Sequence, residues 1–91
     1  MDVVYAPAFL RILKKFDPPI TEGVKAAVAA VIDYYDTGQK TPGLGLTQLR
    51  GHLWEARAGI RWRVLYVVGE NRLTFVLAGS HDDVRNYLKR L

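Results

Sequence analysis

The sequence predicts an α+β domain: an N-terminal strand, a helix pair, a three-stranded antiparallel meander and a short C-terminal helix. Three observations lead there. Apolar residues recur at helical spacing in two segments of the first half. Three runs rich in Val, Leu, Trp, Tyr and Phe follow in the second half, with turn residues between them. Finally, 91 residues with 49% hydrophobic content are enough for one core and too few for two, so residues 1–91 are read as a single domain.

Residues 2–6 form a short β-type run closed by Pro7. Residues 8–16 place Phe9, Leu10, Ile12, Leu13 and Phe16 at helical spacing. This helix is expected to stop at Asp17, because Pro18 and Pro19 each disfavour helical geometry in the preceding residue and lack a backbone donor. Thr21 followed by Glu22 reads as the N-cap of a second helix that runs to about Thr37 and ends at Gly38. Its buried stripe is Val24, Ala27, Val28, Val31, Ile32 and Tyr35. The two helices read as an antiparallel pair joined by the Pro-Pro turn, with alanines that permit close approach to one face of a sheet.

Residues 39–47, with Pro42, Gly43 and Gly45, read as a flexible loop. The strands of the meander are Leu53 to Ala58, residues 61–68 and residues 72–79, with reversals at Gly59 and at Gly69-Glu70-Asn71. Residues 82–91 suit a short helix begun by Ser80 or His81. The first strand joins the meander at an edge or beside the last strand.

Composition excludes several classes of function. There is no cysteine, hence no disulfide framework, thiolate metal site or thiol nucleophile. No segment approaches about 18 uninterrupted apolar residues and the N-terminus lacks the pattern of a signal peptide, so a cytoplasmic protein without membrane contact is expected. A domain this small buries well under about three quarters of its unfolded surface, which leaves its stability open to help from a partner. The net charge of +4 is unevenly spread. Residues 1–43 hold five basic and five acidic side chains, whereas residues 44–91 hold eight basic, seven of them arginine, against four acidic. Arginine's planar fork of donors matches phosphate bidentately, so the bias favours phosphate contact over a merely solvated basic face.

Strand alternation sharpens this reading. Trp54, Ala56 and Ala58 share one face with Trp62, Val64, Tyr66 and Val68, an apolar set suited to packing under the helix pair. Leu53, Glu55 and Arg57 take the opposite face with Arg61, Arg63, Leu65 and Val67. The third strand sets Leu73, Phe75 and Leu77 against Arg72, Thr74, Val76 and Ala78. Glu55, Arg57, Arg61 and Arg63 therefore gather on one side of the sheet. The competing account is cross-strand pairing alone, with Glu55 neutralising an arginine at a gain of roughly 0.2–1 kcal/mol.

Three motifs stand in order: Leu49-Arg50-Gly51, Trp54-Glu55-Ala56-Arg57 and Trp62-Arg63-Val64-Leu65-Tyr66. With the N-terminal strand and helix pair, they resemble the RelE/ParE superfamily of toxins from bacterial and archaeal toxin–antitoxin pairs, over essentially the whole chain. Trp62 stands where that family usually carries tyrosine, and the C-terminal segment GSHDDVRNYLKRL lacks the run of lysines often seen in phage-type relatives.

The resemblance implies an mRNA interferase: a metal-independent endoribonuclease that cleaves mRNA on the ribosome by attack of a ribose 2′-hydroxyl on the adjacent phosphate. No cofactor is implied. Such chemistry needs a base, an acid and cations for the phosphorane charge. The resemblance assigns Arg63 to the transition-state phosphate, supported by Arg57 and Arg50. Glu55 is the candidate base and His81 the candidate acid, since histidine is the residue type that exchanges protons near neutral pH. Tyr87 is a candidate for stacking on a base or donating a proton, and Arg50, Arg61 and Arg85 are candidate RNA contacts. Each has a plainer alternative: His81 as a helix cap, His52 as a loop residue, Tyr87 as core with Val84, Leu88 and Leu91, and Arg50 as a ribosomal RNA contact away from the chemistry. The implied partners are a cognate antitoxin, mRNA and the ribosome. The alternative functions are inhibition of DNA gyrase by binding, as in ParE-like members, and a degenerate binding module without catalysis.

Overall fold

A computed structural model describes residues Met1 to Leu91. The elements are β1 (Asp2–Tyr5), α1 (Pro7–Lys15), α2 (Pro18–Thr37), β2 (Thr47–Arg50), β3 (Leu53–Ala58), β4 (Trp62–Gly69), β5 (Arg72–Ser80) and α3 (His81–Lys89). One five-stranded sheet runs β1-β5-β4-β3-β2. The meander β3-β4-β5 is antiparallel as expected, and β1 joins it at the edge, parallel to β5.

The local structure differs from expectation at four places. The Pro-Pro pair is the first turn of α2 and not the link between helices, because proline suits the first helical positions, where its missing N–H has no partner to lose. Asp17 is the N-cap residue, and Thr21 donates its hydroxyl to the Leu13 carbonyl of α1 at 3.3 Å. Thr47 to Arg50, read partly as loop, form the edge strand β2, which pairs with β3 through a bulge between Gln48 and Arg50. The strand β4 begins at Trp62, leaving Arg61 in the hairpin loop. Finally, a bulge in β5 lies opposite Leu65 and Tyr66, which face Leu77 and Phe75. The extra residue, Val76, reverses the alternation, so Leu77 leaves the face of Leu73 and Phe75 and Ala78 joins it.

The sheet is covered on both sides. Tyr66, Phe9, Phe75, Leu73, Val24, Val31 and Val64 are fully buried between the sheet and α1/α2. Each such side chain contributes about 1.5–3 kcal/mol of transfer free energy. Burial, then the hydrogen bond at 3.4 Å with Tyr35, pushes the Tyr66 phenol well above its ordinary range. On the opposite face a smaller core joins Leu53, Leu65 and Val84, with Val67, Val76, Leu77, Tyr87 and Leu88 packed against it. Helix α3 therefore covers part of the face that carries Glu55, Arg57 and Arg63. Its start is fixed by Ser80, whose hydroxyl accepts from the Asp83 amide at 3.2 Å while the Asp83 carboxylate accepts from the Ser80 amide at 2.8 Å. No helix is long and apolar enough to cross a membrane.

Candidate functional site

Beside α3, one stretch of the second sheet face carries charge. The β3–β4 register sets Arg57 directly opposite Arg63. The Arg57 amide donates to the Leu44 carbonyl at 2.7 Å, away from β4. The pair is therefore a non-hydrogen-bonded one, the kind in which Cα atoms approach to about 4.5 Å and side chains crowd most. Like charges facing each other in this way destabilise a sheet. A local rule broken without structural gain is a mark of a functional position.

The arrangement around the two arginines moderates their repulsion. Glu55, diagonal to Arg63, brings Oε2 to 3.8 Å from the Arg63 Nε, with each side chain only 15% exposed. Arg63 Nη1 also donates to the carbonyls of Ile60 at 3.3 Å and Trp62 at 3.2 Å. Arg57 lies over Gly45, whose absent Cβ would meet the arginine Cδ at 3.0 Å. Gly45 has φ +59°, a backbone conformation that favours glycine. The Arg57 guanidinium is in no ion pair. Two guanidinium charges against one carboxylate leave a surplus positive charge on an accessible surface. A phosphate complements it with charge and with acceptors for the free N–H groups.

On the β5 side, Arg63 faces Gly79. A Cβ there would lie 2.7 Å from Asp83, so this glycine is what lets α3 sit close to the sheet. His81 is the first residue of α3 and is exposed, two residues beyond Gly79 and thus within about 7 Å of it along the chain. With Ile60, Arg61, Trp62, Ser80 and Asp82 it lines a recess of about 410 Å³. Ser80 provides the helix cap, so His81 is not needed for that role.

The remaining expected site residues are dispersed. Tyr87 is half-buried in the smaller core and lines a groove with Ile12, Lys15, Phe16 and Arg90. Arg50 is exposed on edge strand β2, opposite Leu53. Arg85 is exposed on α3 and pairs with Asp82 at 3.7 Å. His52 is exposed at the turn between β2 and β3. No group of three or more His, Asp or Glu is gathered closely enough to hold a metal ion. Sequence reasoning missed the backbone carbonyls that hold Arg63, which carry no residue-type signal. It also missed Gly45 and Gly79, whose role depends on what approaches them.

No protein-family model and no curated protein sequence matches the chain. Solved structures do match. A chain of the E. coli DinJ–YafQ complex superposes with a TM-score of 0.71 at 17% identity, covering 91% of this chain and 96% of that one. The RelB–RelE antitoxin–toxin complex from Methanococcus jannaschii matches with a TM-score of 0.68 at 15% identity, covering 92% and 96%. The YoeB/ParE toxin from Agrobacterium tumefaciens matches with a TM-score of 0.66 at 18% identity, covering 89% and 99%. Across nearly their full lengths the likeness is one of fold: the chain has the architecture of the RelE, YafQ, YoeB and ParE-type toxins of toxin–antitoxin systems.

Proposed function

We propose that this chain is the toxin of a toxin–antitoxin pair and cleaves mRNA on the ribosome without a metal ion. The observation that carries the reading is the contact between Glu55 and Arg63, with Arg57 facing Arg63 across the strands. A carboxylate and two guanidinium groups on one sheet face combine a proton acceptor with cations for a phosphate.

In the proposed reaction Glu55 takes the proton of a ribose 2′-hydroxyl. The 2′-oxygen bonds to the adjacent phosphorus, and Arg63 and Arg57 hold the charge that develops on the phosphorane oxygens. The bond from phosphorus to the 5′-oxygen breaks and His81 protonates that oxygen, leaving a 2′,3′-cyclic phosphate and a 5′-hydroxyl. Tyr87 is given no step here: its ring packs against the smaller core and borders the groove beside α3. Arg50, Arg61 and Arg85, all exposed, are assigned to flanking phosphates, where they add affinity and not chemistry. The antitoxin is proposed to neutralise the basic surface with an acidic segment, and the site of action is the cytoplasm.

Translating ribosomes programmed with a reporter message test this. Wild type is expected to cut the message and leave 2′,3′-cyclic phosphate ends, and Glu55→Gln to slow the cut by roughly 10²–10⁴-fold, the range for loss of a positioned general base. Intact message together with stalled gyrase on plasmid DNA would replace the nuclease reading with gyrase inhibition.

A further inference from the structure

The tip of the β3–β4 hairpin is built unlike a folding device. Its three residues are Gly59, Ile60 and Arg61, and Ile60 is 95% exposed, the most exposed large hydrophobic side chain of the chain. Nothing in either core uses it. Its backbone is nevertheless tied to the catalytic row, since the Ile60 carbonyl accepts from Arg63 Nη1 at 3.3 Å. Its side chain borders the recess shared with Arg61, Trp62 and His81. Trp62 is half-buried, with Phe16 packed against it on the helix-pair side at a centroid distance of 5.1 Å, and it also lines the recess. The acidic residue at the rim, Asp82, is already paired with Arg85 at 3.7 Å.

An indole, an aliphatic side chain, a guanidinium and an imidazole around one recess match a single unstacked nucleobase with its phosphate. Bases stack on aromatic faces whatever their sequence. We infer that this recess is a base-binding subsite for the nucleotide next to the scissile phosphate, with Ile60 and Trp62 holding the base and Arg61 its phosphate. The inference rests on the RNA-cleavage reading and adds to it a positioning role. A base seated against Ile60 immobilises the hairpin tip, and the tip carbonyl then fixes the Arg63 fork.

The probe is a single-stranded RNA decamer of mixed sequence, 2′-O-methylated throughout so that the cleavage step has no nucleophile. Binding to wild type is expected to quench tryptophan fluorescence, and Trp62→Phe, shown folded by circular dichroism, to lose the quench. Ile60→Ser at the solvent-exposed tip is expected to weaken decamer affinity roughly tenfold and to lower ribosomal cleavage with it. Binding without quenching, no binding, or equal affinity for Ile60→Ser overturns the subsite, and wild-type cleavage of the reporter message then still upholds the nuclease. Quenched binding with no cleavage does the reverse, keeping the subsite and removing the nuclease. If Ile60→Ser leaves the decamer affinity intact and weakens only antitoxin binding, the tip is a protein contact and the subsite is overturned.

Discussion

Replacing Gly79 with alanine is expected to lift α3 off the sheet. The added Cβ would stand 2.7 Å from both the Cβ and the Oδ2 of Asp83, against the 3.5–4.0 Å at which carbon atoms pack favourably. Rotating the carboxylate does not relieve the clash, because the Asp83 Cβ is fixed to the helix backbone. Helix α3 must therefore shift, and the shift breaks the reciprocal Ser80–Asp83 cap. Overpacking of this kind costs about 1–3 kcal/mol and the lost cap about 1 more, which together make about 2–4 kcal/mol. For a domain of this size that lowers the thermal midpoint by roughly 8–30 °C. Gly23→Ala is the control: it lies inside α2 with nothing within 4 Å of the new Cβ, and is expected to stabilise by about 0.5–1 kcal/mol. Thermal melts followed by circular dichroism compare the two. If Gly79→Ala melts within about 2 °C of wild type, α3 is not seated on β5 as described.

Three further outcomes follow from the packing and charge. Because the Tyr66 phenol is raised in the fold, the unfolded chain loses this proton first as pH climbs past the ordinary phenol value near 10. Folding stability is then whole below pH 10 and falls above it by about 1.4 kcal/mol per pH unit, and urea titrations from pH 8 to 11.5 should show Tyr66→Phe flattening the fall. Arg57→Ala removes the charge opposite Arg63 but also a stem packed over Gly45, so its stability should stay within about 0.5 kcal/mol of wild type. Its affinity for the decamer should drop, and the slope of log affinity against log salt should become shallower by about 0.7, one phosphate contact on a single strand.

Strand alternation made the two sheet faces legible. Val64 and Tyr66 are fully buried under the helix pair, and Glu55, Arg57 and Arg63 share the other face, because period two leaves each residue only two directions. The bulge at Val76 was not legible, since nothing in a run of β-formers marks the extra residue, and it moved Leu77 to the opposite core. The strand β2 escaped because its TQLR sequence is largely polar, four residues long and at the sheet edge, where one partner strand and a single half-buried residue, Leu49, impose no pattern. Pro18 and Pro19 have opposite meanings at a helix end and a helix start, and only the chain's course distinguishes them. At the site, residue types pointed to the carboxylate and the arginines. The carbonyls of Ile60 and Trp62 that orient Arg63 exist only once the hairpin closes.

The central claim is that Arg63 stabilises charge on a phosphate undergoing cleavage, and the direct measurement is the single-turnover rate of reporter cleavage on translating ribosomes for three folded variants. Arg63→Ala is expected to lose about 10²-fold or more, the usual consequence of removing one preorganised electrostatic contact. Arg63→Lys keeps the charge without the fork and should recover only part of that loss. Arg72→Ala, whose ion pair with Asp2 spans 4.0 Å between exposed side chains at the sheet edge, should cut at the wild-type rate. Folded Arg63→Ala that cuts as fast as wild type would contradict the account.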